Sequence, residues 1–482
     1  MSLDPTVFAD YLIRTRWFGG KGRPFTVTGI RTIGRVPGGA EGGPVVRIHL
    51  VEVTYGDEVG GDDLYQVPVA YYSEPEYRLD HAFLGWWEDD ELGWVHAYDA
   101  LHDKEAMALW LRAFDKAAAA DGTQVTSLVD PDSALAFHRL PGHDLDMTSH
   151  SSLFSGEQSN SSVAYGEDAV MKVFRKVTPG VNPDVQIHEV LTNVGVDNVA
   201  PLYGWLDAVV PDVSGRQDDE HAGEMIQLAM LQKFLRTATD GWDLAQASVR
   251  TLFAEPEVHA GESGGDFAGE ASRLGEALAH IHGALGEHFP TYSLGPEAAV
   301  DLSQTMRRRL DEAVQVVPAL APYAPSLHEL FASVGELGSL EVQTIHGDLH
   351  LGQTLRTSVG WKIVDFEGEP AKPLAERLLP DSRWRDVAGM LRSFDYAPRS
   401  YIHHLQSTED GEQLDTRAAE WANRCRNYFV VSYAGSDLDP QQRTLLEAYV
   451  ADKAVYECVY EALNRPAWLD IPLDAIARLT SA

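Results

Sequence analysis

The chain has 482 residues, which exceeds what a single hydrophobic core usually organises and predicts two to four domains. Its 38 Lys and Arg residues against 73 Asp and Glu residues give a formal charge of −35. A field of that sign repels nucleic-acid phosphates, so we expect no nucleic-acid partner. Hydrophobic content of 44% and charged content of 23% are typical of a soluble globular protein.

The sequence contains no apolar run of about 20 residues that would suit a membrane span. Its opening, MSLDPTVFADYL, lacks the basic start and apolar core of a secretory signal. Two cysteines, Cys425 and Cys458, make no disulfide framework and suit a reducing compartment. We therefore expect a cytoplasmic monomer with no membrane partner.

The first predicted domain is a small antiparallel sheet with one helix. A short helix over residues 5–17 precedes strand-like runs between Thr26 and Tyr72, which are separated by glycine-rich turns. This pattern predicts an N-terminal cap over residues 1–92. A basic and aromatic cluster in RWFGGKGR favours a seam between domains over a ligand site, and its members are Arg16, Trp17, Lys21 and Arg23.

A second sheet follows, and after it the pattern becomes helical. Over residues 93–235 the periodicity predicts a helix, a group of strands, an internal helix at 183–194 and two further strands. A five-stranded sheet with one internal helix is typical of the small lobe of a kinase-like fold. The apolar spacing from residue 236 to 482 predicts a helical lobe, so the fold class is α+β.

The stretch from His346 to Glu369 carries the chemistry. Asp348 follows His346-Gly347, the amide of Gln353 comes five residues later, and Asp365 ends the apolar run Ile363-Val364. This is the layout of a phosphoryl-transfer site of the protein-kinase type, with a base for the incoming hydroxyl and two ligands for magnesium. If Asp348 only capped a turn, the spacing of Gln353 and Asp365 after it would have no explanation. We therefore predict that Asp348 is the catalytic base.

We predict that Gln353 and Asp365 bind Mg²⁺, because amide and carboxylate oxygens are the ligands that this ion prefers. The histidines in HGDLH invite a zinc interpretation, but no glutamate follows the first of them and the segment contains glycines. We therefore expect His346 to bond the backbone of the catalytic loop, and we place His350 on the substrate side.

ATP needs donors for its phosphates and a cation. The run SGEQSNSSVAYGEDAVMKVF predicts a strand, a turn that includes Ser159, Asn160 and Ser161, and a second strand that carries Lys172. Taken alone, this run is more typical of an ordinary hairpin than of a phosphate-binding loop. Glu189 on the helix over 183–194 is the predicted ion-pair partner of the lysine, with Asp184 as its substitute.

The remaining ATP contact is the adenine ring. We expect backbone hydrogen bonds to adenine near Gln232 to Phe234, after the strand EMIQLAMLQ.

Together these motifs resemble a known family. HGDLHLGQTL, WKIVDFEGEP, RDVAGMLRSFDYA, EQSNSSVAYG and RWFGGKGR are similar to segments of bacterial maltokinases and their relatives, over nearly the whole chain. The resemblance implies the fold of aminoglycoside phosphotransferases with an added cap, and the use of ATP with magnesium. It also implies that Asp348, Gln353 and Asp365 occupy the base and metal positions, and that Lys172 is the ATP lysine. A pseudokinase, which binds a sugar or nucleotide without catalysis, is the alternative outside this interpretation.

The resemblance leaves two acceptors open. Maltokinases usually carry an aromatic residue where this chain has Leu349, and a related branch phosphorylates glucosamine, whose ammonium needs an anion. Glu420 beside Trp421 offers a charge and a ring face, although a surface acid next to a buried tryptophan explains the pair equally well. We predict glucosamine giving glucosamine 6-phosphate, with maltose giving maltose 1-phosphate as the alternative.

Overall fold

The structure is a computed structural model that describes residues 3–39, 42–57, 61–118, 125–129, 133–154, 160–210, 223–255, 257–369, 372–405 and 411–480. The chain divides into two compact units. The N-terminal unit comprises Met1–Gln186 and Ala200–Arg236, and the C-terminal unit comprises Ile187–Val199 and Thr237–Ala482. The predicted cap and small lobe thus fall within one unit, and their separation at residue 92 stays a prediction.

The N-terminal unit begins with a helix and an antiparallel sheet, as the sequence predicts. Helix α1 spans Pro5–Arg14, and Asp4 caps it by accepting a hydrogen bond from the Thr6 N–H. The strands run in the order β1-β2-β3-β5-β4. They are β1 (Phe25–Arg35), β2 (Val45–Tyr55), β3 (Asp62–Tyr72), β4 (Phe83–Asp89) and β5 (Gly93–Asp99).

The second sheet of this unit is larger than predicted, with seven strands in the order β6-β7-β12-β13-β10-β9-β8 instead of five. Its extra strands are short and polar, so their hydrophobic alternation is weak. The elements are α2 (Lys104–Lys116), β6 (Thr126–Val129), β7 (Leu135–Arg139), β8 (Ser151–Leu153), β9 (Asn160–Tyr165), β10 (Ala169–Phe174), β11 (Lys176–Val177), α3 (Pro183–Asn193), β12 (Leu202–Val210) and β13 (Glu224–Lys233).

The two sheets of the N-terminal unit are joined by hydrogen bonds and a buried ion pair. Strand β11 pairs with β3 of the first sheet. Arg175, which lies between β10 and β11, makes a 2.8 Å ion pair with Asp99, and both side chains are 1% exposed. The guanidinium carbon of Arg175 lies 4.5 Å from the centre of the Trp17 ring. Trp17 therefore packs at a structural seam, as the sequence analysis favours.

The C-terminal unit is mainly helical, as predicted. Its elements are β14 (Thr239–Asp240), α4 (Gly241–Ala254), α5 (Ala268–His288), β15 (Tyr292–Leu294), α6 (Pro296–Val316), α7 (Ala324–Val334), β16 (Leu340–Val342), β17 (Thr354–Thr357), β18 (Gly360–Ile363), α8 (Leu374–Arg377), α9 (Trp384–Leu405), α10 (Gly411–Ala434), α11 (Pro440–Asn464) and α12 (Asp470–Thr480). Among the helices in the described ranges, none contains a stretch long and apolar enough to cross a bilayer.

Helix α11 brings charged side chains into the interior of this unit. A capping box fixes its first turn, in which Asp439 accepts from the Gln442 N–H and the Gln442 side chain accepts from the Asp439 N–H. Apolar residues along the helix pack into the core of the unit, with Tyr449, Val450 and Val455 among them. That packing holds the helix in register and sets where its charged residues lie.

Candidate functional site

The loop that carries Asp348 is held by a carboxylate from the first turn of α9. Asp386 accepts hydrogen bonds from the backbone N–H groups of His346 (2.7 Å) and Gly347 (2.8 Å). The Asp386 side chain is 1% exposed, and Nε2 of His282 lies 3.0 Å from its Oδ2. With Nε2 donating to Asp386, Nδ1 of His282 accepts from the Tyr433 hydroxyl at 2.8 Å. The loop that carries Asp348 is therefore positioned from two helices, α5 and α9.

Charge balance favours the ionised form of Asp386. Burial by itself raises the pKa of the carboxyl, but the hydrogen bonds from His282 and from the Gly347 N–H hold it below its usual range. Sequence reasoning missed this residue, although it lies in the quoted RDVAGMLRSFDYA motif. It also assigned no role to His282. An aspartate in the first turn of a helix is common as a cap, so the motif alone does not reveal what it binds.

His346 connects the catalytic loop to the segment after β18. Its Nε2 donates to the Val364 carbonyl at 2.9 Å, and its Nδ1 accepts from the Asp348 N–H at 3.3 Å. The predicted bond from His346 to the loop backbone is therefore confirmed. Gly347 has φ +84°, and a Cβ on this residue would lie 3.4 Å from the Gly368 Cα. A side chain at residue 347 would thus be strained by its backbone conformation.

The structure brings the two predicted metal ligands together. The Gln353 side-chain nitrogen donates to Oδ2 of Asp365 at 2.9 Å. A carboxylate oxygen of Glu367 lies within 4.8 Å of one from Asp365. Asp365 has φ +67°, a left-handed conformation that aspartate rarely adopts and that is common at functional sites. Two carboxylates and an amide oxygen form a set that fits a hard divalent cation.

Asp348 borders two cavities of the C-terminal unit. The first has a volume of about 520 Å³ and is named here the charged cavity, after Arg309, Glu369, Lys372, Asp381, Arg385 and Asp452 in its wall. The second has a volume of about 820 Å³ and is named the aromatic cavity, after Trp242, Tyr396, Tyr456, Tyr460 and Trp468. Leu349 borders both cavities although its side chain is only 3% exposed.

Lys453 of α11 is a site residue that sequence reasoning missed. Its ammonium nitrogen lies 3.6 Å from Oδ1 of Asp348, and the residue borders both cavities. Burial alone would lower the pKa of Lys453, but the carboxylates of Asp348, Glu457 and Glu369 raise it above its ordinary value. The available signal was the charged pair Asp452-Lys453 in the middle of a long helix whose apolar residues pack into the core.

The carboxylates of the charged cavity differ in how well they are compensated. Glu369 accepts from Arg385 at 2.9 Å, and the same guanidinium binds Asp381 at 2.9 Å. Asp452 has a 2.9 Å contact with Arg309, whose side chain is 48% exposed. Burial raises the pKa of Asp452, and the charge of Arg309 only partly offsets this effect. Among Glu369, Asp381 and Asp452, Asp452 is thus the carboxylate that gains most from an additional cation.

His350 lies beside the aromatic cavity, on the side where the sequence analysis places the substrate. Its Nδ1 accepts from the Gly352 N–H at 3.1 Å and caps the short 3₁₀ turn Leu351–Gln353. Burial is the main effect that lowers the pKa of His350. The neutral ring is also the form that can accept this hydrogen bond.

In the N-terminal unit, Lys172 of β10 makes a 2.8 Å ion pair with Asp184 at the start of α3. The two side chains are 12% and 2% exposed. The structure therefore shows the pair with Asp184, the substitute in the sequence analysis, and the pair with Glu189 stays a prediction. Glu189 is half-buried on the later part of α3. Position 184 lies in the first turn of the helix, where a carboxylate is favoured by the helix dipole.

The predicted phosphate turn needs correction. Ser159 lies outside the described residues, whereas Asn160 and Ser161 belong to strand β9 and are buried. The Ser161 hydroxyl accepts from Nε of Arg175 at 2.8 Å, so it serves the seam between the two sheets. Sequence reasoning could not identify the bond between Arg175 and Ser161, since small polar residues suit both a turn and a strand that faces a buried arginine.

The predicted adenine contacts near Gln232 to Phe234 stay a prediction, although two backbone donors of this stretch are engaged within the protein. The Phe234 N–H donates to the Asp168 carbonyl at 3.0 Å, and the Lys233 N–H donates to the Pro201 carbonyl at 2.9 Å. These two backbone donors are therefore already used within the protein. Gln232 pairs in register with Val170 and Leu202 inside the sheet.

Glu420 and Trp421 do not form a sugar site. Trp421 is 2% exposed, and its indole N–H donates to the Ser248 hydroxyl at 2.9 Å in the helical core. Glu420 accepts from the Ala260 N–H at 2.8 Å and holds the loop after α4. Among the described residues that line the two cavities beside Asp348, neither of them occurs. The alternative of a surface acid next to a buried tryptophan is correct.

Comparisons with known proteins agree with this architecture. Residues 11–103 match the sequence model of a family described as the maltokinase N-terminal cap domain. The glucosamine kinase of Streptacidiphilus jiangxiensis is 30% identical over 334 residues, which cover 66% of this chain and 70% of that protein. The glucosamine kinase of Mycolicibacterium smegmatis is 23% identical over 340 residues, covering 67% and 78%.

Solved structures agree as well. One glucosamine kinase structure aligns over 100% of this chain and 98% of its own, with a TM-score of 0.66 and 21% identity. A second, in complex with glucosamine, ADP and inorganic phosphate, covers 99% and 100% with a TM-score of 0.64 and 21% identity. The predicted α+β, kinase-like fold with an N-terminal antiparallel sheet is therefore confirmed.

Proposed function

The chain belongs to the maltokinase-like sugar kinase family, in the branch of the glucosamine kinases, and we propose that it transfers the γ-phosphate of ATP to the 6-hydroxyl of D-glucosamine. The observation that carries the proposal is the position of Asp348, held by a fixed loop at the edge of a cavity whose lining carboxylates outnumber its lysines and arginines. A cationic sugar suits that wall, and its hydroxyl can reach the carboxylate.

In this proposal Asp348 orients the sugar hydroxyl and accepts its proton as the new P–O bond forms. Phosphoryl transfer depends mainly on positioning and charge compensation, so a fixed carboxylate is sufficient as the base. The loop geometry supports this role, since His346 and Asp386 immobilise the backbone on both sides of Gly347. Lys453 keeps a cation next to the base while the hydroxyl is bound.

We assign Asp365 and Gln353 as the protein ligands of Mg²⁺ and Lys172 as the phosphate-binding lysine. Mg²⁺ bound at the phosphates of ATP supplies a positive charge that offsets the negative charge of the transferring group. The contact between Gln353 and Asp365 leaves the amide oxygen of Gln353 for the cation. Asp184 orients Lys172 through their ion pair.

For the ammonium of glucosamine, Asp452 replaces Glu420 as the proposed partner. Asp452 lies in the wall of the charged cavity, and its buried carboxylate is compensated by a single described ion pair to an exposed arginine. A cation that enters this cavity would offset the cost of burying that charge. Two nearby carboxylates, Glu369 and Asp381, are shared with Arg385, which already balances them.

An ADP-release assay on a panel of acceptors tests the proposal. We expect the highest kcat/KM with glucosamine, and a much lower value with N-acetylglucosamine because acetylation removes the ammonium. The position of the new phosphate is read by ¹H–³¹P correlation NMR, which distinguishes C6 from C1. Robust turnover of maltose with none of glucosamine would refute the assignment in favour of the maltose alternative. The monomeric state and the cytoplasmic location stay predictions.

A further inference from the structure

Four arginines gather around one buried carboxylate where helices α9, α10 and α12 meet. They are named here the arginine cluster, and its members are Arg392, Arg399, Arg426 and Arg478. The carboxylate belongs to Asp395 of α9, whose side chain is 2% exposed. Burial alone would raise the pKa of Asp395, but the four guanidinium charges hold it below its usual range. Among the described residues that line the two cavities beside Asp348, no member of the cluster occurs, so the cluster is not part of the proposed acceptor site.

Two arginines of the cluster are well compensated. Arg392 donates from Nε to Glu457 at 2.8 Å and from Nη1 to Asp395 at 2.6 Å. Arg399 donates to Asp474 at 2.5 Å and has a second carboxylate at 3.8 Å. Each of these guanidiniums thus faces two negative charges, and neither requires a further anion.

Arg426 of α10 and Arg478 of α12 are compensated less well. For both, Asp395 is the one carboxylate within 4.0 Å among the residues that the structure describes, at 3.3 Å from Arg426 and 3.6 Å from Arg478. The same carboxylate is already bonded to Arg392 at 2.6 Å. Three guanidiniums therefore share one negative charge, and the two outer ones have only its longer contacts.

The charge balance at Arg478 shows the same surplus of positive charge. Burial lowers the pKa of its guanidinium, and the other three arginines of the cluster lower it further. The charge of Asp395 acts in the opposite direction but does not restore the pKa to its ordinary value. Such a surplus is unusual in a chain with a formal charge of −35, and it favours an additional anion at this place.

The two outer guanidiniums also reach the solvent, since the side chains of Arg426 and Arg478 are 22% and 36% exposed. A guanidinium carries five N–H donors in a planar fork that matches the oxygens of a carboxylate or a phosphate. A phosphate group offers three acceptor oxygens and about two negative charges, so it can bond two guanidiniums at once.

We propose that Arg426 and Arg478 bind the phosphate group of a small anion at the surface end of the arginine cluster. The phosphate oxygens accept from the outward N–H groups of both side chains, while Asp395 keeps its closer partner on α9. The bound anion connects α10 to α12 and removes the surplus of positive charge. Helix α9, which meets both of them, also holds the loop of the proposed base through Asp386.

Phenylglyoxal labelling of arginines, followed by peptide mass spectrometry, tests the site on the full-length protein. The first probe is inorganic phosphate at up to about 20 mM, with the ionic strength held constant by sodium chloride so that screening does not change. We expect phosphate to slow the labelling of Arg426 and Arg478 about fivefold, because bonded guanidiniums react less readily. Arg424 is the matched reporter, since it lies on the same helix, is 30% exposed and already binds Asp266 at 2.7 Å. Its labelling rate should not change.

Two variants test whether the two guanidiniums form a single site. Arg478→Gln should abolish the protection of Arg426 by phosphate, whereas Arg424→Gln should leave that protection intact. Both substitutions are at partly exposed side chains, and near-ultraviolet circular dichroism verifies that the variants are folded. Protection of Arg426 that persists in Arg478→Gln overturns the shared site.

A second probe, glucose 6-phosphate, identifies the source of the phosphate group. Protection at about tenfold lower concentration than with inorganic phosphate identifies a phosphate monoester as the ligand, and equal or weaker protection identifies free phosphate. Labelling rates that neither probe changes, or slowing that extends equally to Arg424, overturn the proposal. The readout is labelling of single residues, so the result does not depend on the proposed kinase activity.

Discussion

Lys453 and Asp348 form the closest described pairing of a cation with the proposed base, with 3.6 Å between Nζ and Oδ1. Both side chains are partly exposed, at 35% and 24%, so the pair faces the cavities that receive the acceptor. A carboxylate that must orient a hydroxyl benefits from a fixed neighbour, because the ion pair restricts its rotamers.

We predict that Lys453→Met lowers kcat with glucosamine by roughly three- to tenfold. That range corresponds to about 1 kcal/mol, the upper end for a partly exposed ion pair. Lys453→Arg keeps the charge and should retain most of the activity. Steady-state kinetics of both variants provide the measurement. Wild-type kcat in the methionine variant would mean that the ion pair has no part in positioning the base.

The Asp348→Asn variant tests whether the protein is a catalytically active kinase or a pseudokinase that only binds its ligands. The amide keeps the size of the side chain but cannot accept the proton of the hydroxyl, so we expect kcat to fall by about 10²–10⁴-fold. Glucosamine should still bind with a similar dissociation constant, which isothermal titration calorimetry measures. An unchanged rate of ADP release in this variant would support the pseudokinase alternative and remove Asp348 from its proposed role.

The sequence predicted residues whose roles depend on local spacing. Asp348, Gln353 and Asp365 lie within 18 residues of one another, in a segment whose short strands bring Gln353 and Asp365 into contact. Lys172 was also found, since an inward lysine on a short strand is an unusual feature. Its ion pair with Asp184, the substitute partner, is present, whereas the pair with Glu189 stays a prediction, because only tertiary packing decides which acids of one helix face the strand.

Residues that act through tertiary contacts could not be predicted in this way. Asp386 binds a backbone segment about 40 residues earlier, and Lys453 pairs with a carboxylate 105 positions earlier. No periodicity links such distant positions. For Glu420 and Trp421 the sequence analysis made the opposite error, because it placed at one site two residues that are adjacent only in sequence. Neighbours on a helix point about 100° apart, so an acid and a ring that are adjacent in sequence do not face the same ligand.

Asp386→Asn should weaken both catalysis and folding. Asp386 accepts two backbone hydrogen bonds and contacts His282, and hydrogen bonds to a charged group contribute about 1.5–3 kcal/mol each. We expect a loss of about 2–3 kcal/mol in the free energy of unfolding, measured by urea titration at pH 7. His282→Gln, which retains a donor on a different side chain, should cost less than Asp386→Asn.

The loss of unfolding free energy in Asp386→Asn depends on pH, and the direction of the pKa shift of Asp386 determines how. The pKa of Asp386 is lower in the folded protein than in the unfolded chain, where it is about 3.9. Its stabilising effect is therefore complete above about pH 5 and disappears as the pH falls through the folded value. The difference in unfolding free energy between wild type and Asp386→Asn should stay constant from pH 5 to 8 and shrink below about pH 4. A difference that grows on acidification would contradict the assignment of an ionised Asp386.

Asp452→Asn tests the source of amino-sugar specificity. Removing the carboxylate takes the proposed ammonium partner out of the charged cavity, so glucosamine loses that contact. We expect the KM for glucosamine to rise about tenfold, whereas the KM for glucose, which has no ammonium, should change little. Glu420→Gln is the matched control, since Glu420 holds a backbone N–H of the loop after α4 and should leave both KM values unaltered. Equal increases for the two sugars in Asp452→Asn would mean that Asp452 shapes the cavity without recognising the charge. An increase for glucosamine confined to Glu420→Gln would return the ammonium site to α10.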